Sequence, residues 1–111
     1  MPSVTVQHKA SDGRGMFYVP GERPGQDFRA AMMYHHYGED DGTINVDHTE
    51  VDESLRGQGV GKQLLESLTA WAAGEGDVKV SATCPFAVAQ LKKDSALGRG
   101  VVVEYTEGRT R

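Results

Sequence analysis

The stretch Arg56-Gly57-Gln58-Gly59-Val60-Gly61 most constrains how this chain can fold. Three glycines in five positions would cost a regular element too much backbone freedom, so the chain must turn sharply here or pass close to something. Directly after it, Val60, Leu64, Leu65, Leu68, Trp71 and Ala72 share one helical face. Lys62, Gln63, Glu66, Ser67 and Thr69 lie mostly on the other. The helix should stop near Ala73, where Gly74 and Gly76 follow. A glycine turn that opens a helix aims unpaired N–H groups, and the positive end of the helix dipole, at one point. That is an anion site suited to phosphate. The same glycines would also serve a tight strand-to-helix turn with no ligand. The P-loop is excluded, because no Gly-Lys-Ser/Thr closes the run, and Gly57-x-Gly59-x-Gly61 does not fit the dinucleotide pattern G-x-G-x-x-G.

The flanking segments give this turn a setting. Thr43 to Val51 alternates, placing Ile44, Val46, His48 and Glu50 on one face and Asn45, Asp47, Thr49 and Val51 on the other. Val78 to Cys84 alternates as well, so the predicted unit is β–α–β, a crossover that joins parallel strands. Before it, Val4 to His8 and Met16 to Val19 read as strands around the turn residues Ser11 to Gly15. Pro20 to Gln26 reads as a surface loop, and Phe28 to Tyr37 as a strand leading through the Gly38 to Gly42 turn. After it, Pro85 starts a short helix over Phe86 to Lys93. Val101 to Tyr105 is a last strand, and the tail from Gly108 to Arg111 should fray. The expected fold class is α+β: antiparallel N-terminal strands, then a crossover that joins a parallel pair.

Length and composition narrow the function classes. The 111 residues are enough for one domain, 1–111, and too few for two. A net charge of −4 argues against a nonspecific nucleic-acid binder. No apolar run approaches the roughly 20 residues needed to span a bilayer, and the first residues start no signal peptide. A single cysteine, Cys84, cannot form an internal disulfide, which fits a reducing, cytoplasmic setting. His35 and His36 are neighbours on a strand and point to opposite faces, so no metal site is expected. Tyr34, Tyr37, Met32 and Met33 read as core or edge packing.

Ligands of open α/β sheets bind outside the C-terminal ends of the strands. The glycine loop leaves the end of one parallel strand and Cys84 sits at the end of the other, so both should face one crevice. The helix starting just after Cys84 would lower the pKa of its thiol. A lone cysteine is also commonly a small buried hydrophobe.

The motif R-x-x-G-x-G at Arg56 to Gly61 resembles the pyrophosphate loop of the GNAT N-acetyltransferase superfamily. Asp47-His48-Thr49-Glu50-Val51, Leu55 to Lys62 and Thr83-Cys84-Pro85-Phe86 follow in the order found in its short, single-domain branch. The similarity covers Phe17 to about Lys93. It implies coenzyme A or acetyl-CoA as the ligand, with pyrophosphate on the amides of Gly57, Gln58, Gly59, Val60, Gly61 and Lys62. Arg56 would complement phosphate or brace the loop, and the pantetheine arm would enter a splay between the two parallel strands and pair with backbone near Val51. Cys84 is implied as a nucleophile or as lining, and Glu50 or His48 as the base that deprotonates an attacking amine. Each of these two also has a bland role, as a satisfied histidine and a cross-strand partner. The implied activity is acetyl transfer to an amine of a small molecule or protein. The alternative is a CoA-binding module with little turnover, because Ala87 to Asp94 lacks the tyrosine that many members use as general acid. A monomer or weak homodimer is expected.

Overall fold

The computed structural model describes residues 5–37, 42–75, 78–93 and 102–105, with backbone alone at 37 and 102–105. The Gly38 to Asp41 part of the predicted turn, the stop residue Gly76, Asp94 and the 108–111 tail lie outside the described residues. Six strands form one mixed sheet in sequence order: β1 (Gln7–Ser11), β2 (Arg14–Pro20), β3 (Phe28–Tyr37), β4 (Thr43–Val51), β5 (Lys79–Ala82) and β6 (Val102–Tyr105). The first four run antiparallel, while β4–β5 and β5–β6 are parallel. Helix α1 (Val60–Gly74) makes the crossover from β4 to β5, and α2 (Pro85–Lys93) follows β5.

The β1–β2 hairpin turns on Asp12-Gly13, with φ of 54° and 80°. Positive φ at both central residues is what a two-residue hairpin turn demands, and Asp-Gly is a favoured pair for it. Counting back from that turn pairs Ser11 with Arg14 and Gln7 with Tyr18. The first strand therefore occupies Gln7–Ser11 rather than Val4 to His8, because turn geometry sets the register and β-branched content does not.

The core lies between one sheet face and α1. Phe17 and Val19, Ala30, Met32 and Tyr34, and Ile44 and Val46 supply the sheet side, and Leu64, Leu65, Leu68 and Ala72 the helix side. Leu64, Leu65 and Leu68 are each 0% exposed, and burying a leucine side chain fully is worth about 1.5–3 kcal/mol. Toward the hairpin, Tyr34 joins an aromatic group: His8 stacks on Phe17 at 4.1 Å between ring centroids, and Trp71 meets His8 edge-on at 4.9 Å. The Tyr34 hydroxyl reaches His8 Nε2 at 2.6 Å. Gly15 makes room for it, since a Cβ there would lie 2.4 Å from that oxygen.

One feature of β4 departs from simple alternation. Met33 pairs with His48 but Tyr34 pairs with Val46, which leaves Asp47 as the extra residue of a bulge. The bulge reverses the faces: His48 pairs with Met33 and Glu50 with Ala31, while Thr49 pairs with Met32. His48 and Glu50 therefore share the face opposite Ile44 and Val46, contrary to the alternation read from sequence.

Candidate active site

The β4–β5 pairing is short. It runs from Thr43–Lys79 to Val46–Ala82, after which β5 ends and the amides of Thr83 and Cys84 both donate to the Val46 carbonyl at 3.1 Å. Beyond Val46, β4 pairs with β3 alone as far as Val51. The parallel pair thus opens toward its C-terminal ends. A polar chain on the face away from α1 marks where the opening starts. Ser81 Oγ donates to Asn45 Oδ1 at 2.8 Å, and Asn45 Nδ2 donates to Thr83 Oγ1 at 3.0 Å and Asp47 Oδ1 at 2.8 Å. His35 Nδ1 meets the same Asp47 oxygen at 2.8 Å. Ser81 and Asn45 are buried, and their full pairing offsets the cost of putting polar groups there.

A cleft of about 960 Å³ occupies the opening. β4 contributes Thr49, Glu50 and Val51 to its lining, and the segment after it contributes Asp52, Leu55, Arg56, Gly57 and Gly59. The first turn of α1 contributes Val60, Gly61 and Lys62, and α2 contributes Phe86, Gln90 and Lys93. Gly57 and Gly59 have φ of 77° and 76°, the left-handed region that glycine adopts without strain. Gly59 caps α1 without a side-chain hydrogen bond, and the first turn of the helix contains no acidic residue. No acidic side chain of that turn therefore offsets the positive end of α1, which faces the cleft. A Cβ on Gly61 would lie 2.6 Å from Phe86 Cζ, so this glycine gives the Phe86 ring its place against the start of α1.

The residues singled out in the sequence separate clearly here. Val51, Arg56, Gly57, Gly59, Val60, Gly61 and Lys62 all line the cleft. Gln58 does not; its side-chain amide donates to the Ser54 carbonyl at 2.9 Å. Arg56 also braces the loop, with Nε donating to the Val51 carbonyl at 3.3 Å. Glu50 lines the cleft and lies 3.1 Å from His48 Nε2. His48 itself lines a second cleft of about 940 Å³ near the β1–β2 turn. Cys84 is only 4% exposed and is absent from the cleft wall, with Sγ 3.3 Å from Thr49 Oγ1. The strand-end placement expected for the thiol holds, but the turn after β5 leaves it buried against Thr49 rather than in the opening. Asp52 is held below the usual carboxylate range, first by the Ser54 hydroxyl and then by the Ser54 amide. Sequence reasoning missed the cleft face of α2, although Phe86, Gln90 and Lys93 have the spacing of one helical face.

A family model described as GCN5-related N-acetyl-transferase matches residues 18–99. The chain belongs to this family. A GCN5-like protein from Staphylococcus aureus, solved in solution, is 30% identical, with 100% of this chain and 98% of that one covered at a TM-score of 0.63. Protein NATD1 of Xenopus tropicalis is 30% identical over 66 residues, 60% of this chain and 58% of the relative, so the match spans little more than half of that protein. The aminoglycoside N-acetyltransferase AAC(6')-Iy, solved in complex with CoA, shares the fold at a TM-score of 0.51 and 19% identity, over 91% of this chain and 78% of that one. No described helix is long and apolar enough to cross a membrane.

Proposed function

We propose that the protein is an acetyl-CoA-dependent N-acetyltransferase acting on an amine of a small molecule or of a protein. The observation that carries this reading is the cleft where the parallel strands part, bounded by the N-terminus of α1, whose first turn holds no acidic residue. These residues fit coenzyme A on physical grounds. The amides after Gly57 and Gly59 and the start of α1 offer donors for a diphosphate. The half-paired edge of β4 offers backbone partners for an extended, amide-containing arm. CoA bound to AAC(6')-Iy and that protein's acetyltransferase activity, by its name, agree with this assignment. When bound, acetyl-CoA supplies an activated acetyl thioester.

The chain's own part is positioning and proton transfer. Glu50 is the base: its carboxylate lines the cleft beside the half-paired strand, where it can take a proton from the acceptor's ammonium group. With acetyl-CoA bound, the freed amine would attack the thioester carbon, the C–N bond forming and the C–S bond breaking, with the second nitrogen proton going to the departing thiolate. His48, 3.1 Å from Glu50, passes the proton outward to the second cleft. A backbone N–H on the β4 edge would stabilise the oxyanion. Cys84, covered by Thr49, acts in packing and not as a nucleophile. One observation favours the alternative of a CoA-binding module with little turnover. The cleft face of α2 offers Phe86, Gln90 and Lys93 and no tyrosine to protonate the thiolate.

The test is native mass spectrometry for retained CoA, followed by thiol-release assays with a panel of amines. Retained CoA with turnover on at least one amine supports the transferase. Retained CoA without turnover on any amine leaves the binding module, and no CoA binding removes both. For the transferase, Glu50→Gln should lower kcat/KM at least tenfold near neutral pH while leaving CoA affinity within twofold.

A further inference from the structure

The face of the sheet away from α1 carries a row of side chains that crosses four strands. Lys9 on β1 pairs with Met16 on β2, Met16 with Met33 on β3, and Met33 with His48 on β4. Residues paired in this way share one face, so a cation stands at one end, two methionines in the middle and His48 at the other end. Three strand spacings separate the ends, about 14 Å. All four residues line the second cleft, of about 940 Å³, together with Arg14 and Asp47. His48 Nε2 lies 3.1 Å from Glu50, which lines the first cleft, so this pair joins the two. Charge divides the second cleft. At its β4 end the Asp47 carboxylate is engaged by Asn45 and His35. At the hairpin end Asp12 accepts from Ser11 Oγ at 3.4 Å, and among the described residues no ion pair engages Lys9 or Arg14. Lys9 Nζ lies 5.0 Å from the centroid of the Tyr18 ring, a contact that leaves its N–H donors for an anion. Arg14 stands diagonal to Lys9 across the β1–β2 pair, about 7–8 Å away, so one carboxylate can meet both side chains.

We infer that the second cleft holds the acceptor, and that it selects an amine joined by an apolar stem to a carboxylate. The inference rests on the reading that the protein transfers acetyl from CoA to an amine. The ammonium group lies at Glu50 beside His48, the stem crosses Met33 and Met16, and the carboxylate lies between Lys9 and Arg14. Both methionines are half-buried, and an unbranched, polarisable side chain adapts to stems of different shape. The Lys9 side chain reaches back along the row, which sets amine and carboxylate about 10 Å apart, the span of three extended peptide residues. His48, with 59% of its side chain exposed, still passes the proton to water at the rim. The row thus selects by length and by terminal charge, two properties that the amine itself does not carry.

Initial rates of acetylation at saturating acetyl-CoA and low ionic strength test this with three probes: 8-aminooctanoate, octylamine and 4-aminobutyrate. The wild type should show kcat/KM for 8-aminooctanoate about tenfold above that for octylamine, the effect of two exposed charge contacts worth about threefold each. The shorter 4-aminobutyrate cannot reach Lys9 from Glu50 and should be no better than octylamine. Lys9 and Arg14 are exposed, so Lys9→Ala and Arg14→Ala should fold normally. Each should raise KM for 8-aminooctanoate about threefold with little change in kcat, and the double variant should lose the preference. Lys79→Ala removes a cation outside the cleft and should keep it. Equal kcat/KM for 8-aminooctanoate and octylamine in the wild type overturns the inference. So does a preference that survives in the double variant. A wild type that retains CoA but acetylates neither probe also overturns it, while leaving CoA binding in place. A folded wild type that binds no CoA removes the inference together with the transferase reading.

Discussion

The two halves of β4 are built differently. From Thr43 to Val46 the strand is paired on both edges, and its inward residues Ile44 and Val46 are fully buried against α1. From His48 to Val51 it is paired on one edge only, and His48 and Glu50 are exposed, with side-chain exposures of 59% and 52%. The bulge at Asp47 separates the halves and exchanges their faces. The first half is where burial holds the sheet together. The second half is where backbone and carboxylate remain available to a ligand. A fully paired, fully buried strand would be more stable and would have no cleft.

Removing support from the paired half should have the largest effect. Leu68, 0% exposed, lies in the α1 face that covers it. Leu68→Ala is expected to cost about 2–5 kcal/mol, transfer and cavity terms together. Chemical denaturation should show that loss with an unchanged m-value. The matching change in the half-paired segment, Glu50→Gln, should leave the denaturation midpoint unchanged, because exposed pairs such as His48–Glu50 contribute little. If both variants lose equal stability, the division between the halves is wrong.

Asn45 tests the boundary between the halves. Asn45→Ala removes partners of Ser81, Thr83 and Asp47 together, at an expected cost of about 1–3 kcal/mol. It should also loosen the point where β5 leaves β4, so amide exchange at Thr83 and Cys84 should speed up more than exchange at Met32 and Tyr34. Uniform acceleration would mean that the polar chain does not hold the opening in place.

Cys84→Ala belongs next in size. The buried thiol touches Thr49 Oγ1, and its loss should cost about 1 kcal/mol. Acetyl transfer should survive within about threefold, and no acetyl label should appear on the wild-type thiol. A labelled Cys84 would place the chemistry beneath Thr49 and would require the cleft to open further than it does here.

These contrasts also explain which features could be read from the sequence. The glycine turn, the α1 face and the alternation in β4 as far as Val46 are local patterns, and each stands where the residues put it. The crossover followed from the order of the patterns, and the open parallel pair from the resemblance. The Asp47 bulge depends on contacts among His35, Asn45, Ser81 and Thr83, which come from three strands and the residue after the last, so alternation alone assigned His48 and Glu50 to the wrong face. That Cys84 is buried rather than facing the cleft was missed for a related reason. Its strand stops pairing at Ala82, and only then do Thr83 and Cys84 fold back onto the Val46 carbonyl. The first strand slipped because Asp12-Gly13, a two-residue turn, sets the register from its far end.

The smallest effect concerns pH, and it isolates the covered end of the sheet from the cleft. Packing among Phe17, Tyr34 and Trp71 holds the pKa of His8 below 6.5, because burial disfavours the imidazolium; Glu75 opposes this more weakly. The folded state therefore releases its proton more readily than the unfolded chain. Above pH 6.5 both states are neutral and the His8 contacts are fully present. As pH falls through that value the unfolded chain takes up the proton first, so stability declines until the folded pKa is also passed. His8→Gln should flatten this part of a stability-against-pH curve and leave its shape at lower pH intact. The slope should be shallow, since His8 stands on an exposed strand. CoA affinity should not follow it, because His8 touches no residue of the first cleft wall. An unaltered curve for His8→Gln would assign the pH dependence elsewhere. A parallel change in CoA affinity would show that the two regions communicate through α1, whose far end carries Trp71 and is capped by Glu75.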